Sequence, residues 1–369
     1  MRIGILGGGQ LGRMLAIAAV PMGHEVFVLA QSAEEPACAV ARPFLGAFED
    51  EALLDRFARA VDVVTYEFEN VPSATVERLA ARVPVRPGAR SLVVASDRWN
   101  EKSTFRALGI GTAPFRAVDD AASLEIAVEA LGLPAVLKTR RLGYDGKGQR
   151  VLRSAADVPG AFESLGAVPA ILEGFVPFAR ELSILGVRGL DGATATYPLV
   201  ENVHRSGILF RTDAPAPDVG ERLAARARDA ITALLVELDH VGVLALELFE
   251  RDGDLLANEI APRVHNTGHF SIEGAETSQF EAHIRAIAGE PLGSCALRGR
   301  SVMINLVGTV PPRERLLAIE GAHLHLYGKT ERPGRKLGHV TVRSDDPDAL
   351  AASVERVVHA VEGPRAGPR

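Results

Sequence analysis

Val241-Gly242-Val243-Leu244-Ala245-Leu246-Glu247-Leu248-Phe249, followed by Arg251-Asp252-Gly253-Asp254 and by Leu255-Leu256-Ala257-Asn258-Glu259-Ile260-Ala261, is the stretch on which the reading of this chain turns. It reads as a strand, a turn and a returning strand, because both arms are mostly apolar and Asp-Gly marks the turn. Side chains alternate along a strand, so Leu244, Leu246 and Leu248 point one way while Ala245 and Glu247 point the other. On the returning arm, alternation sets Leu256, Asn258 and Ile260 on one face and Ala257, Glu259 and Ala261 on the other. A three-residue or bulged turn places Glu247 opposite Glu259, whereas a two-residue turn sends them to opposite faces. The odd-length pairing is expected, because charged residues among core leucines are usually paired or metal-bound. Two carboxylates on one face can ligate a Mg²⁺ that bridges nucleotide phosphates. The competing reading is a pair of surface glutamates on a solvated strand.

Just downstream, Pro262-Arg263-Val264-His265-Asn266-Thr267-Gly268-His269 packs Arg263, His265 and Asn266 into four residues. An arginine there offers two parallel donors to a planar oxyanion such as bicarbonate. Upstream, a short apolar strand ends in Lys138 and leads to Gly143-Tyr144-Asp145-Gly146-Lys147-Gly148-Gln149. Such a glycine-rich loop suits a polyphosphate, but it lacks the P-loop spacing, and a plain glycine-rich hairpin turn fits it equally well. Residues 112 to 176 read as a small α+β lobe around this loop. Strands over 180–187 and 194–203 follow, with Glu181 at the start of the first and His204 just past the second. A helix over 219–238 comes next.

The chain opens as β-α-β, with Gly7-Gly8-Gly9-Gln10-Leu11-Gly12 after the first strand. The match to G-x-G-x-x-G points to a dinucleotide, but the acidic residue wanted at the end of the second strand is replaced by Ala30 and Gln31. The turn could instead hold a simple phosphate, frame a substrate, or serve packing alone. The strand over 62–66 runs into Glu67-Phe68-Glu69-Asn70, where Glu67 and Asn70 are placed to face a ligand. Near the end, Lys329, Arg332, Arg335 and Lys336 surround a Pro-Gly turn and form a local anion site or a solvated basic loop.

At 369 residues the chain exceeds one ordinary core. Its net charge of −6 gives no footprint for nucleic acid, and no apolar run is long enough for a bilayer. Cys38 and Cys295 are isolated, so neither a disulfide framework nor a zinc knuckle is indicated. With no signal peptide at its start, the chain is expected in the cytoplasm.

Lys138 before a glycine loop, Glu173 to Val176, Glu181 and the Glu247/Glu259 pair together resemble the ATP-grasp superfamily. Within it, GGGQLGRM from Gly7, YEFENVP from Tyr66, GYDGKGQ from Gly143, NEIAPRVHNTGH from Asn258, and the run from Tyr327 through RPGRKLGH resemble the 5-(carboxyamino)imidazole ribonucleotide synthetases of purine synthesis. The likeness spans essentially the whole chain in the same order. It implies a mixed α/β and α+β protein: a Rossmann-like pre-ATP-grasp domain over 1–95, an ATP-grasp domain over 96–290, and a small β-rich C-terminal domain over 291–369.

The resemblance also implies roles. Arg98, Lys138 and Gly143 to Gln149 (Tyr144, Asp145, Gly146, Lys147 and Gly148 included) would hold the phosphates of ATP. Glu173, Gly174, Phe175 and Val176 would face adenine, Glu181 the ribose and His204 the nucleotide pocket. Asn258 and Glu259, with Glu247, would line the phosphate and Mg²⁺ side. Arg263, His265 and Asn266 would hold bicarbonate. Gln10, Leu11, Glu67, Asp145, Lys329, Arg335 and Lys336 would surround aminoimidazole ribonucleotide, the last three at its phosphate, with Lys329 also counted among the catalytic groups. Many ATP-grasp enzymes carry an asparagine two residues after the second metal glutamate. Here that position is Ala261, which bears on a second metal rather than on activity. The implied reaction is ATP-dependent carboxylation of the ribonucleotide through carboxyphosphate, in a cytoplasmic homodimer without nucleic-acid or membrane partners. The rival readings are a formate-dependent glycinamide ribonucleotide transformylase, a nucleotide-binding oxidoreductase built on Gly7 to Gly12, and a non-catalytic ATP sensor.

Overall fold

A computed structural model describes residues 1–143 and 148–362. Three sheets follow one another along the chain. Strands β1 (Arg2–Leu6), β2 (Glu25–Ala30), β3 (Arg42–Leu45) and β4 (Val63–Tyr66) form a parallel sheet in the order β3-β2-β1-β4. Parallel strands need crossover segments, and the helices Gln10–Ala19 and Glu51–Ala60 supply two of them. The first helix begins at Gln10, directly on the glycine turn. The stretch 82–87 forms no named strand; its backbone pairs with β4 through a bridge between Val64 and Val85.

Strands β5 (Phe115–Val118), β6 (Ala135–Thr139), β7 (Gln149–Leu152) and β8 (Ala170–Gly174) make the small lobe, antiparallel in the order β5-β8-β6-β7. The helix Ala121–Leu131 packs on it, and Leu124, Ala127, Leu137 and Leu172 close its core. Between β7 and β8 lie a single turn at Ala155–Asp157 and a short helical piece at Ala161–Ser164.

The third sheet holds β9 (Arg180–Arg188), β10 (Thr194–Thr196), β11 (Val200–Arg205), β12 (Ile208–Ala214), β13 (Gly242–Arg251), β14 (Asp254–Ala261), β15 (Arg300–Val307), β16 (Ala322–Leu326) and β17 (Lys336–Ser344). The single strand read over 194–203 is two, separated by Tyr197-Pro198-Leu199; proline removes an amide from the ladder. β14 lies at one edge, and β12 bonds to β15, so the strands after residue 300 continue the same sheet. The helix Glu221–Glu237 covers one face, burying Leu223, Ala227, Ile231, Leu234 and Leu235 against Leu244, Leu246 and Leu248 of β13. The helix Pro347–Glu362, which carried no sequence expectation, places Leu350, Val354 and Val357 against β15 and β17.

Candidate active site

The β13–β14 hairpin turns on two residues, Asp252 and Gly253, both with positive φ (54° and 75°). That is the pattern of a tight hairpin whose twist matches its strands. Continued regularly, it would put the two glutamates on opposite faces. Instead the register shifts between Glu247 and Leu248: Leu248 pairs with Ala257, and Glu247 pairs with Glu259. The extra residue is Asn258, a bulge. The expected pairing is therefore present, made by a bulge in the strand rather than by an odd-length turn. The bulge also corrects the alternation drawn from the sequence. Ala257 lies with the core leucines and Ile260, whereas Ala261 shares the face of Ala245.

The glutamates open onto a cavity of about 460 Å³ between the small lobe and the large sheet. Arg98, from a helix capped by Asp97, reaches Glu259 at 2.9 Å and Gly143 O at 3.5 Å. Burial pushes the Glu259 carboxyl up, but Arg98 outweighs it and the net direction is down. Among the described residues Glu247 has no arginine or lysine partner. Burial, then the Glu259 charge, pushes it up to about 8, while His204 works the other way. Lys138 lies 3.1 Å from Glu173, which Lys102 also approaches at 3.4 Å. Burial raises the Glu173 carboxyl, yet Lys102 and Lys138 prevail and hold it at about 2.

His265 Nε2 lies 3.2 Å from Glu247. Burial, then Arg263, drives His265 far below its ordinary value, so its ring is neutral. Both polar atoms of the Asn266 side chain, His265 Nδ1 and Asn258 Oδ1 are buried without a hydrogen-bond partner among the described residues. Unmet donors and acceptors at a cavity wall are what a polar ligand would satisfy.

Of the residues singled out from the sequence, Gln10, Leu11, Arg98, Lys138, Gly143, Gln149, Glu173 to Val176, Glu181, His204, Glu247, Asn258, Glu259, Arg263, His265, Asn266 and Lys336 line this one cavity. Glu181 and His204 pair at 2.7 Å. Gly148 accepts a backbone bond from Thr139 beside it. Lys329 stands behind the wall, donating to Gln10. Arg335 instead turns to Thr330. Tyr144, Asp145, Gly146 and Lys147 lie outside the described residues.

Glu67 is buried and spent on the protein itself. Its oxygens accept from Gly9 N and, at 2.8 Å, from Gly12 N, while Glu35 takes Gly8 N at 3.0 Å. The amides that a dinucleotide pyrophosphate would need are thus filled by two carboxylates, which removes the ground for the oxidoreductase reading.

Several cavity residues escaped the sequence reading. Glu101 is one, placed three positions after Arg98 on the same helix face; that spacing was the signal that could have found it. Glu69 is another, paired with Arg263. Phe178 and Phe249 stack with centroids 4.6 Å apart and planes within 6°.

The chain matches family models described as ribonucleotide synthetase preATP-grasp domain over residues 1–96, ATP-grasp domain over 103–280, and phosphoribosylaminoimidazole carboxylase C-terminal domain over 301–353. It is 53% identical to an N5-carboxyaminoimidazole ribonucleotide synthase of Pseudomonas aeruginosa, across 98% of this chain and 100% of the relative. Among solved structures it resembles the N5-carboxyaminoimidazole ribonucleotide synthetase of Thermus thermophilus (TM-score 0.95, 51% identity, 98% and 99% of the two chains). It also resembles the synthase of Aspergillus clavatus in complex with ADP and 5-aminoimidazole ribonucleotide (TM-score 0.91, 32% identity, 98% of each chain).

Proposed function

The chain belongs to the N5-carboxyaminoimidazole ribonucleotide synthases, a family of ATP-grasp ligases, and from that premise we propose how its residues carry the reaction. ATP and bicarbonate carboxylate 5-aminoimidazole ribonucleotide, giving N5-carboxyaminoimidazole ribonucleotide, ADP and phosphate. A bicarbonate oxygen attacks the γ-phosphorus and ADP leaves. The exocyclic amine then attacks the carbonyl carbon of carboxyphosphate; phosphate departs and the amine loses a proton. No protein nucleophile is needed, because phosphoryl transfer rests on position and charge.

Arg98 and Lys138 supply positive charge to the phosphates, each oriented by a carboxylate: Glu259 at 2.9 Å and Glu173 at 3.1 Å. Glu247, Glu259 and Asn258 Oδ1 offer an oxygen donor set that fits a hard divalent cation, and a cation there would offset the burial and the Glu259 charge that raise Glu247. Mg²⁺ bound there would neutralise charge on the phosphoryl oxygens. Asn266 offers bicarbonate both a donor and an acceptor, and neutral His265 offers a ring nitrogen. Arg263 adds its charge. Gln10, Leu11, Lys329 and Lys336 form the ribonucleotide side, with Glu67 and Arg335 supporting it from behind. The resemblance assigns 143–149 to the phosphates and Asp145 to the acceptor amine. A division at about residues 95 and 290, a cytoplasmic location and a homodimer belong to the same proposal.

The observation that carries the reading is Glu247 paired with Glu259 on a cavity wall shared with Arg98, Lys138, His265 and Asn266. Purified protein should release ADP only when ATP, bicarbonate and aminoimidazole ribonucleotide are all present. Release driven instead by formate with glycinamide ribonucleotide would overturn it.

A further inference from the structure

Two neighbouring side chains of the helix Arg98–Ala107 take no part in the steps above, yet both reach one short piece of β14. Glu101 is 2% exposed and Lys102 1%. β14 is an edge strand, so the backbone groups on its outer side need partners from outside the sheet. Ala257 meets that need fully: its N–H donates to Gly111 O at 2.7 Å, and its carbonyl accepts from Thr112 Oγ1 at 2.8 Å and Lys102 Nζ at 3.3 Å. In a regular strand the next outward amide would be two residues on, at Glu259. Here it is Ile260 N, three residues on, and it donates to Glu101 Oε1 at 2.7 Å. Lys102 and Glu101 thus grip β14 on either side of the extra residue, Asn258, at a spacing only the bulged strand has.

We propose that Glu101, assisted by Lys102, is a positioning residue that holds the β14 bulge and so keeps Glu259 opposite Glu247. The idea rests on the reading of these glutamates given above. Lys102 also extends the grip to the other jaw, because Glu173, 3.4 Å from it, orients Lys138. One turn of helix therefore sets both the carboxylate pair and the phosphate-facing lysine.

Two conservative variants separate reach from charge. Glu101→Gln keeps the length and an acceptor oxygen; Glu101→Asp keeps the charge but falls one methylene short of Ile260 N. The clamp predicts that Glu101→Gln stays within about threefold of wild-type kcat, while Glu101→Asp loses about 10–100-fold with KM for the ribonucleotide unchanged. Hydrogen exchange of the Ile260 amide, followed on the nucleotide-free protein, should accelerate about tenfold or more in Glu101→Asp and stay slow in Glu101→Gln. Any other ranking overturns the proposal: two variants alike, Asp better than Gln, or lost turnover with Ile260 still protected. If wild-type protein fails to release ADP with its three substrates, the functional reading falls instead, and the exchange comparison still decides the clamp.

Discussion

Arg263 and Glu69, 194 positions apart, meet at a single oxygen: Arg263 Nε and Nη2 lie 2.7 Å and 2.6 Å from Glu69 Oε2. Nη1 is held as well, donating to Val264 O at 3.0 Å. The guanidinium, two residues past the end of β14, is thus fixed by the loop after β4, a strand of a different sheet. Its charge faces the cavity while its donors are largely committed to the protein.

Removing Glu69 should therefore act on anion binding more than on ATP. In Glu69→Ala, KM for bicarbonate should rise about tenfold, with KM for ATP little changed. Losing this mostly buried pair should also lower unfolding free energy by about 1–2 kcal/mol, read from a urea titration. A rise confined to the ATP KM would contradict this placing of Arg263.

Asn266 should show the reverse balance. Its amide is buried and bonded to nothing among the described residues, so Asn266→Ala should leave stability within about 0.5 kcal/mol or improve it. Turnover should drop by about 10²-fold, the scale of losing one oriented donor. A stability loss of about 2 kcal/mol or more would make the amide structural.

Glu259→Ala should abolish ADP formation, by about 10³-fold or more, while circular dichroism and thermal unfolding remain those of a folded protein. Chelating divalent cations from the wild type should have the same effect on turnover. Near-normal activity in the variant would remove Glu259 from the metal side.

Lys329→Ala should raise KM for the ribonucleotide at least about tenfold and leave that for ATP nearly unchanged. The ammonium donates to Gln10 beside the glycine turn, away from the Lys138 jaw. Equal effects on both substrates would undo its assignment.

Asp97 gives a pH signature. It caps the helix that carries Arg98, accepts from Trp99 N at 3.0 Å and holds Arg140 at 2.8 Å and Arg141 at 3.2 Å. Burial raises its carboxyl, but Arg140 and the cap bond prevail and hold it below its ordinary 3.8. A depressed folded value means the stabilisation is complete above the unfolded value and fades as pH falls through the folded one. Asp97→Asn should keep the cap, destabilise at neutral pH, and flatten the fall in stability below about pH 4. An unchanged acid limb would show that this carboxylate does not contribute to it.

The sequence made the three-part order and the identity of most cavity residues readable, because the strands are short apolar runs punctuated by Gly and Pro. It was also enough to pair Glu247 with Glu259. It did not reveal how, since Asp252-Gly253 reads as a two-residue turn and the compensating bulge at Asn258 is fixed by Glu101, more than 150 positions earlier in the chain. Glu69 was overlooked beside Glu67 for a similar reason. Which of two nearby glutamates turns inward depends on a distant arginine and two glycine amides, and neither leaves a local mark. Glu67 accepts from the amides of Gly9 and Gly12 at the start of the first helix, contacts that no local pattern announces.

That last contact bears on how glycine fingerprints are interpreted. G-x-G-x-x-G spacing reports that bare amides are on offer at a helix start, and nothing about who accepts them. Here the acceptors come from within the chain: Glu35 for Gly8, and Glu67 for Gly9 and Gly12. The same six letters mark a cofactor site or a self-sealed joint, depending on whether an inward carboxylate arrives from elsewhere in the sheet. A search for dinucleotide binders would be sharpened by asking, for every match, whether the strand next to the first ends in a buried glutamate.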